Sequence, residues 1–199
     1  MRDKLRRIYL LFLIVNFFRF LKSILFSKIF IFYFYNNFFT WIPSNSLRIF
    51  YLKYLTKFKI GEKVFICLGC RFSGNISIGN NSVLGRKVVI KGEGGVEIGQ
   101  NVGIVAESYI QTGTHYLNDI NFKSYAKKII IKNNVWIGLR SIILPGLTLE
   151  RGSVLGAGSV LTKNLPQYNV YGGVPATFIK KRDKINYKIN YKEFLEKTL

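Results

Sequence analysis

The chain has 199 residues, with 30 Lys and Arg against 10 Asp and Glu, and therefore a formal net charge of +20 at pH 7. Hydrophobic residues make up 49% of it, which excludes a wholly disordered chain, and its single histidine excludes a metal site built from several imidazoles. So large a positive charge predicts an anionic partner, such as nucleic acid, a membrane surface or a phosphate-rich ligand.

Residues 1–59 differ in composition from the rest of the chain. They contain eleven Lys and Arg, one acidic residue and twelve of the 17 phenylalanines. Charges interrupt the apolar run too often for a transmembrane helix, and no small-residue cleavage site follows it as in a signal peptide. As a helix, the segment has one polar stripe beside Lys22, formed by Asn16, Arg19, Ser23 and Ser27. We predict a basic, aromatic-rich helical segment whose apolar face lies either on an anionic membrane or on the rest of the protein.

From Ile60 onward, an apolar residue opens each six-residue unit. These openers are Ile60, Ile66, Phe72, Ile78, Leu84, Ile90, Ile98, Ile104, Ile110, Ile131, Ile137, Ile143, Leu149, Leu155 and Leu161. The fifth residue of most units is small or β-branched. A period of six fits neither an α-helix nor a simple strand, and it predicts flat-sided coils that pair as parallel strands around a narrow core. Two interruptions of the period are expected to protrude, the Gly-rich Lys91–Glu97 and an arm over Tyr116–Ile130.

The two cysteines, Cys67 and Cys70, form a C-x-x-C pair. They are too few for a disulfide scaffold and fit a reducing compartment. They fall at the second and fifth positions of a six-residue unit, where small residues recur, and the chain offers no second pair of thiols for a metal. We therefore predict that they are small packing residues and that the protein holds no metal.

Four motifs follow one another in the second half of the chain. They are Val135-Trp136-Ile137-Gly138, Ile143-Leu144-Pro145-Gly146, Leu155-Gly156-Ala157-Gly158-Ser159-Val160-Leu161-Thr162-Lys163 and Gly173-Val174-Pro175-Ala176. With them, the chain from about Ile60 to Lys181 resembles the hexapeptide-repeat acyltransferases, and more narrowly the maltose, galactoside and polysaccharide O-acetyltransferases. The resemblance implies a left-handed parallel β-helix, a homotrimer with active sites between subunits, and acetyl-CoA as donor.

The predicted fold class is accordingly all-β. The left-handed β-helix is expected over residues 60–175, after the helical segment of residues 1–59 and before a basic, helical C-terminal tail over residues 176–199.

His115 is the candidate catalytic residue, because a histidine at this place is the general base in the resembling family. The chemistry agrees with that role. Acetyl transfer to a sugar hydroxyl must remove a proton from a weakly acidic alcohol and return one to the departing thiolate, and imidazole does both near neutral pH. A base also needs an acceptor that orients its ring, and Glu107, Asp119 and a backbone carbonyl are all candidates.

The resemblance also assigns contacts to coenzyme A and to the acceptor. The cofactor contacts carried over are Gly138, Leu139, Ala157, Thr162, Lys163 and Lys180, with a backbone amide around Gly138-Leu139 as the oxyanion donor. Glu93 matches an acidic sugar-binding position, although it is also a plausible turn residue. Gly85 and Thr177 stand where the better-known branch has asparagine and arginine, which predicts a different contact at the adenine end.

We predict an acetyl-CoA-dependent O-acetyltransferase that acts on a sugar of a cell-surface polysaccharide or of its lipid-linked precursor. The expected location is the cytoplasm, peripheral to the inner face of the cell membrane. Two alternatives stay open: a small-metabolite acetyltransferase for serine or a nucleotide-linked amino sugar, and a non-enzymatic β-helix scaffold. Nucleic-acid binding is not expected, since the basic residues form no recognisable nucleic-acid-binding motif.

Overall fold

The computed structural model describes residues 27–184, together with 15–16, 23 and 187–189. Helices come first: α1 (Lys28–Asn37), a 3-10 helix (Phe39–Trp41) and α2 (Asn45–Tyr54). Short strands follow in this part of the chain, with the bounds β1 (Lys59–Ile60), β2 (Phe65–Ile66), β3 (Arg71–Ile78), β4 (Val83–Leu84), β5 (Val89–Ile98), β6 (Gly103–Ile104), β7 (Tyr109–Gln111), β8 (Gly113–His115), β9 (Ser124–Ala126), β10 (Ile129–Ile131), β11 (Trp136–Ile137), β12 (Ile142–Ile143), β13 (Thr148–Leu149), β14 (Val154–Leu155), β15 (Val160–Leu161), β16 (Asn169–Gly172) and β17 (Thr177–Lys181).

The strands stack into a parallel β-helix, which confirms the predicted fold. Lys59 pairs with Ser77 and Phe65 with Val83, so one regular coil takes 18 residues, or three six-residue units. Each coil therefore has three flat faces. Face 1 contains β1, β10, β13 and the C-terminal halves of β3 and β5; face 2 contains β2, β4, β6, β11, β14 and β16; face 3 contains β7, β12, β15 and the N-terminal halves of β3 and β5. Corners are named below by the two faces that they join.

The core is filled by the residues that open the six-residue units. All fifteen openers are buried in one continuous cluster, and burial of each such side chain contributes about 1.5–3 kcal/mol. Serines at the fifth position donate hydrogen bonds to backbone carbonyl groups at the corners of the next coil. Ser108 Oγ donates to the Gly138 carbonyl at 2.9 Å, and Ser141 Oγ donates to the Gly156 carbonyl at 2.9 Å. Coils stack closely here, because a Cβ on Gly138 would lie 2.4 Å from the Ala157 nitrogen.

The two cysteines pack as members of this repeat. Both are free and buried, and Cys70 Sγ lies 3.1 Å from the Gly85 carbonyl in the position that serine occupies in other coils. Burial raises the pKa of both thiols, that of Cys70 to about 12. These contacts agree with their interpretation as small packing residues.

The pKa of Cys70 predicts an alkaline loss of stability. The folded thiol keeps its proton above pH about 8.5, where the unfolded thiol releases it, so the free energy of unfolding should fall as pH rises. One such thiol contributes a slope of about 1.4 kcal/mol per pH unit. Urea unfolding at alkaline pH should show this extra slope in the wild type and a shallower one in Cys70→Ser. Equal slopes in the two proteins would contradict the assignment.

The Gly-rich Lys91–Glu97 does not protrude as a loop, contrary to the prediction. It lies within β5, and its two extra residues are absorbed where the register with β3 moves from Gly74↔Gly92 to Ile76↔Val96. Gly74 has φ of +77°, and a Cβ there would lie 2.1 Å from the Gly92 backbone. Glycine therefore lets the strand bulge and remain paired.

The longer interruption forms a protruding arm, as predicted, although it begins earlier. β8 and β9 pair antiparallel, with Gly113 opposite Ala126 and His115 opposite Ser124. The chain rejoins face 1 at β10. We call residues 113–127 the arm.

Helices α1 and α2 cap the first coil. Asn36 Nδ2 donates to the Phe72 carbonyl and Asn36 Oδ1 accepts from the Phe72 N–H, both at 2.8 Å. Asn45 does the same with the Val64 carbonyl, at 3.1 Å, and the Ile66 N–H, at 3.0 Å. Two side chains thus pair with the edge of the first coil as a further strand would, which protects that edge.

Two details of the terminal segments differ from the sequence-based expectation. Ser27 does not continue a longer polar stripe, because it is the N-cap of α1 and its Oγ accepts from the Phe30 N–H at 3.2 Å; Arg19 and Lys22 lie outside the described residues. The predicted helical tail is wrong where the structure describes it, since Thr177–Lys181 forms β17, antiparallel to β16. Residues 185–186 and 190–199 lie outside the described part. Among the residues described, no helix is long and apolar enough to cross a bilayer.

Candidate active site

His115 ends β8 at the root of the arm, with its imidazole held in one orientation. Nδ1 lies 2.8 Å from the Phe122 carbonyl oxygen. Because a carbonyl only accepts, this hydrogen bond places a proton on Nδ1 and leaves the lone pair of the neutral ring on Nε2. The Phe122 ring stacks on the imidazole, with centroids 4.1 Å apart and planes 13° apart.

The tip of the arm positions the Phe122 carbonyl. Asp119 Oδ1 accepts from the Asn121 N–H at 2.8 Å, and the Phe122 N–H donates to the Asp119 carbonyl at 2.9 Å. Phe122 itself adopts a φ of +48°, which is uncommon for a bulky residue. Asp119 therefore holds the turn, while its other carboxylate oxygen lies 4.0 Å from the Lys123 ammonium.

Glu107 is engaged elsewhere. It lies at corner 2/3, at the opposite end of β7 from His115, and its carboxylate accepts from Arg140 Nε at 2.7 Å. The hydrogen bond and charge of Arg140 lower the pKa of Glu107. Of the three acceptors considered for the imidazole, the backbone carbonyl is the one that contacts it within the chain.

A groove of about 650 Å³ lies beside His115 at corner 3/1, and Glu93 lines it. Glu93 projects from the bulged part of β5, and its Oε1 accepts from Ser73 Oγ at 2.5 Å. The structure thus brings His115 and Glu93 to one groove. Sequence reasoning missed further residues of its lining, Lys91, Tyr109, Gln111 and Tyr125. The alternation of β7 before the arm could have indicated Tyr109 and Gln111, which flank the inward-facing Ile110.

The predicted cofactor residues do not meet within one chain. Gly138, Leu139 and Ala157 lie together at corner 2/3, where the Gly158 N–H donates to the Leu139 carbonyl at 2.7 Å. Thr162 and Lys163 follow β15 at corner 3/1, the corner from which the arm leaves after β7. Lys180 lies in β17, opposite Val170 at the end of face 2.

The backbone amides around Gly138 differ in availability. The Gly138 N–H donates to the Leu155 carbonyl at 2.7 Å and is therefore part of the ladder. The Leu139 N–H has no hydrogen-bond acceptor among the described residues. Of the two amides considered as an oxyanion donor, Leu139 is the one with a free N–H.

Gly85 is at this corner as well, and its backbone leaves no room for a side chain. A Cβ there would lie 2.5 Å from the Ala106 nitrogen. The asparagine of the better-known branch therefore has no counterpart at Gly85 in this backbone.

Comparisons with known proteins agree with the repeat and with the arm. The family described as hexapeptide repeat of succinyl-transferase matches residues 75–111 and 128–163, on either side of the arm. Galactoside O-acetyltransferase of Escherichia coli K12 is 36% identical over 141 residues, covering 67% of this chain and 70% of that protein. WcaF of the same strain, a candidate colanic acid biosynthesis acetyltransferase, is 31% identical over 148 residues, covering 72% and 81%.

A solved structure extends the likeness to three dimensions. AntD, an N-acyltransferase from Bacillus cereus in complex with dTDP and 3-hydroxybutyryl-CoA, superposes with a TM-score of 0.62 at 27% identity, covering 72% of this chain and 82% of AntD. With the repeat, the coils and these relatives in agreement, the chain belongs to the hexapeptide-repeat acyltransferase family and is an acetyltransferase.

Proposed function

We propose that this acetyltransferase moves the acetyl group of acetyl-CoA to a sugar hydroxyl of a cell-surface polysaccharide or of its lipid-linked precursor, with His115 as the general base. The observation that carries the proposal is the hydrogen bond from His115 Nδ1 to the Phe122 carbonyl at 2.8 Å. It leaves Nε2 unprotonated in the neutral ring, beside a groove that also contains Glu93.

The residues of the chain have separate tasks in this mechanism. Acetyl-CoA supplies an acetyl thioester. Nε2 of His115 accepts the proton of the attacking hydroxyl and afterwards returns it to the thiolate, while the Phe122 carbonyl stabilises the imidazolium through Nδ1–H. The Leu139 N–H is a donor for the oxygen of the acetyl group. Such acid–base catalysis contributes typically about 10²–10⁴-fold in rate.

The groove suits a sugar better than an apolar acceptor. Glu93 and Gln111 supply an acceptor and a donor for hydroxyl groups, and Tyr109 and Tyr125 supply aromatic faces for a pyranose ring. Two relatives support a sugar acceptor, since one is named for galactosides and the other for colanic acid.

A homotrimer would complete the site, because its parts lie at two corners of each chain. His115, Thr162 and Lys163 are at corner 3/1, whereas Leu139 and Ala157 are at corner 2/3. A cyclic assembly that sets corner 3/1 of one copy against corner 2/3 of the next brings them together. Face 3, between the two corners, presents Tyr109, Ile142 and Leu144 outward, and the last two are more than a third exposed.

A transfer assay on an acceptor panel tests this function. Purified protein is incubated with labelled acetyl-CoA and with free glycans, lipid-linked glycans, serine and nucleotide-linked amino sugars, and the products are identified by mass spectrometry. Acetylation of a glycan hydroxyl, lost in His115→Ala, is the expected result. The panel includes a nucleotide-linked amino sugar because AntD was solved in complex with dTDP. Acetylation of that acceptor alone would favour the small-metabolite alternative. Transfer to none of the acceptors would favour a scaffold.

We infer further that the helical cap lies on an anionic membrane surface. The outer faces of α1 and α2 expose large apolar side chains, each more than half exposed: Ile29, Tyr33, Phe38, Leu47, Phe50 and Tyr54. Lys28, Lys53 and Lys57 are exposed at their margins. Each such cation near an anionic surface contributes about 1 kcal/mol, and the aromatic side chains gain burial among the headgroups.

Vesicle flotation tests this contact. At low salt the full-length chain should float with vesicles that contain anionic lipid. Leu47→Ser/Phe50→Ser/Tyr54→Ser removes apolar surface from the outside of α2 and should lower the bound fraction several-fold without disturbing the buried side of that helix. Leu117→Ser/Ile120→Ser, which changes two residues more than nine-tenths exposed on the arm, is the matched control. Equal flotation of the two variants would contradict the membrane contact.

A further inference from the structure

Of the described residues that line the groove beside His115, Lys91 is the one cation. It lies in β5 and is half-buried. In the sheet, Lys91 is the neighbour of Ser73 in β3 and of Gln111 in β7, the strand that leads into the arm. Lys91 therefore lies at the end of face 3 next to corner 3/1, the corner that also holds the imidazole.

A buried threonine fixes Lys91 relative to the imidazole. The Thr112 N–H donates to the Lys91 carbonyl at 3.0 Å, and the Thr112 hydroxyl donates to the same carbonyl at 2.7 Å. This hydroxyl also accepts from the Gly94 N–H at 3.0 Å, and the Thr112 carbonyl accepts from the Lys127 N–H at 2.8 Å. Thr112 thus joins the bulge of β5 to both ends of the arm, so backbone hydrogen bonds set the position of Lys91 relative to His115.

Lys91 has no carboxylate partner among the described residues. No ion pair in this part of the chain includes Lys91 or Glu93. Glu93 also lines the groove, but it is exposed and its Oε1 accepts from Ser73 Oγ. Unpaired cations are common in a chain with 30 Lys and Arg against 10 Asp and Glu. Lys91 differs from the exposed ones because it is half-buried in the groove that contains the candidate base.

A second cation lies close to the same groove. The Lys127 ammonium is 5.4 Å from the centre of the Tyr125 ring, and Tyr125 lines the groove. The Lys127 stem packs at corner 3/1 of the next coil, where a Cβ on Gly146 would lie 3.0 Å from Lys127 Cδ. No described carboxylate pairs with Lys127. Among the described residues, two cations therefore outweigh one exposed carboxylate here, which favours an anionic ligand.

We propose that the acceptor sugar carries a negatively charged group, a carboxylate or a phosphate, that binds Lys91 while a hydroxyl group of the same sugar lies at Nε2 of His115. The inference rests on the proposed function, since it concerns the acceptor of the same reaction. A lysine ammonium is a compact charge with three rotatable donors, so it binds either anion through charge-assisted hydrogen bonds. A neutral sugar leaves this half-buried ammonium without a counter-ion. Lys91 is thus a specificity-determining residue for an acidic sugar.

The imidazole of His115 is a direct reporter of binding, because the chain has one histidine and labelled imidazole therefore gives one set of ring resonances. Its NMR shift is followed during titration with three methyl galactosides that differ at the exocyclic carbon, which bears a hydroxyl, a carboxylate or a phosphate ester. The titration is run at a pH of about 8.5, where imidazole is neutral and lysine is charged. The Kd for an acidic galactoside should be at least tenfold lower than the Kd for the neutral one, and the tighter acidic ligand identifies the anion. Equal Kd values for all three, or no shift with any of them, would overturn the proposal.

Variants of Lys91 test whether this residue holds the anion. Lys91→Met removes the charge and keeps the stem, so it should raise the Kd for the preferred acidic galactoside at least tenfold and leave that for the neutral one within twofold. Lys91→Arg should keep the preference. Arg151→Met, which removes an exposed cation at corner 1/2, should change neither Kd, and an equal loss there would show nonspecific charge attraction.

Two further measurements separate this inference from the proposed activity. Lys91→Met should leave the Kd for acetyl-CoA within twofold of the wild type, and a tenfold increase would assign Lys91 to the cofactor instead of the acceptor. The NMR titration needs no acetyl transfer, so it reports on the acidic sugar even if no acceptor is acetylated. Acetylation of a neutral glycan, with equal Kd values for acidic and neutral galactosides, would overturn the role of Lys91 and leave the proposed function in place.

Discussion

Replacement of His115 by alanine should lower the turnover number for acetyl transfer at least a hundredfold. The reason is that Nε2 is the group placed to move the proton, and general acid–base catalysis contributes about 10²–10⁴-fold. The affinity for acetyl-CoA should stay within twofold of the wild type, because the imidazole moves a proton and does not hold the cofactor. Steady-state kinetics with an acceptor from the panel, together with calorimetry for acetyl-CoA, measures both quantities.

Glu107→Gln is the control for this experiment. Glu107 is bound to Arg140 at the far corner, so its loss should leave turnover within a few-fold of the wild type. Retention of more than a tenth of wild-type turnover by His115→Ala would exclude the general-base role. A loss in Glu107→Gln as large as that in His115→Ala would mean that Glu107 of a neighbouring copy acts on the imidazole.

The coils could be predicted from the sequence because the residue that opens each six-residue unit has the same role, which is to fill the core. Inward positions such as Ile104 and Ile137 fill one narrow core, so an apolar residue every six positions is both necessary and visible. The serines at the corners recur for a similar reason, since the hydroxyl groups of Ser108 and Ser141 donate hydrogen bonds to backbone carbonyl groups of the next coil. Chain segments outside the repeat lack that signal.

Those segments account for what sequence reasoning did not find. The acceptor on Nδ1 is a backbone carbonyl, and every residue has one, so Phe122 has no sequence signature. The Gly-rich stretch was expected to protrude, but glycine at Gly74 lets two coils approach and absorb the extra residues in a strand. The tail became β17 by pairing antiparallel with β16, the strand that precedes it in the chain, and this pairing overrides the helical propensity on which the prediction rested.

The distribution of the site over two corners predicts complementation between two inactive variants. His115→Ala removes the base at corner 3/1, whereas Ala157→Arg places a bulky cation at corner 2/3, where Ala157 is exposed. Each variant alone should be inactive. If one site takes His115 from one copy and Ala157 from the next, random mixed trimers contain intact sites, and roughly a quarter of wild-type activity should return.

Mixing must exchange subunits, so the two variants are dissociated and reassembled together, and each is also reassembled alone. Sedimentation of the wild type should show a trimer. Ile142→Glu should disrupt it, because that side chain is exposed on face 3 and a buried carboxylate between copies is costly. Ile130→Glu on face 1 is the matched change outside the expected contact. Only a site that two copies share can regain activity when two differently inactivated variants are mixed. If sedimentation shows mixed trimers and the mixture stays inactive, the whole site lies within one chain.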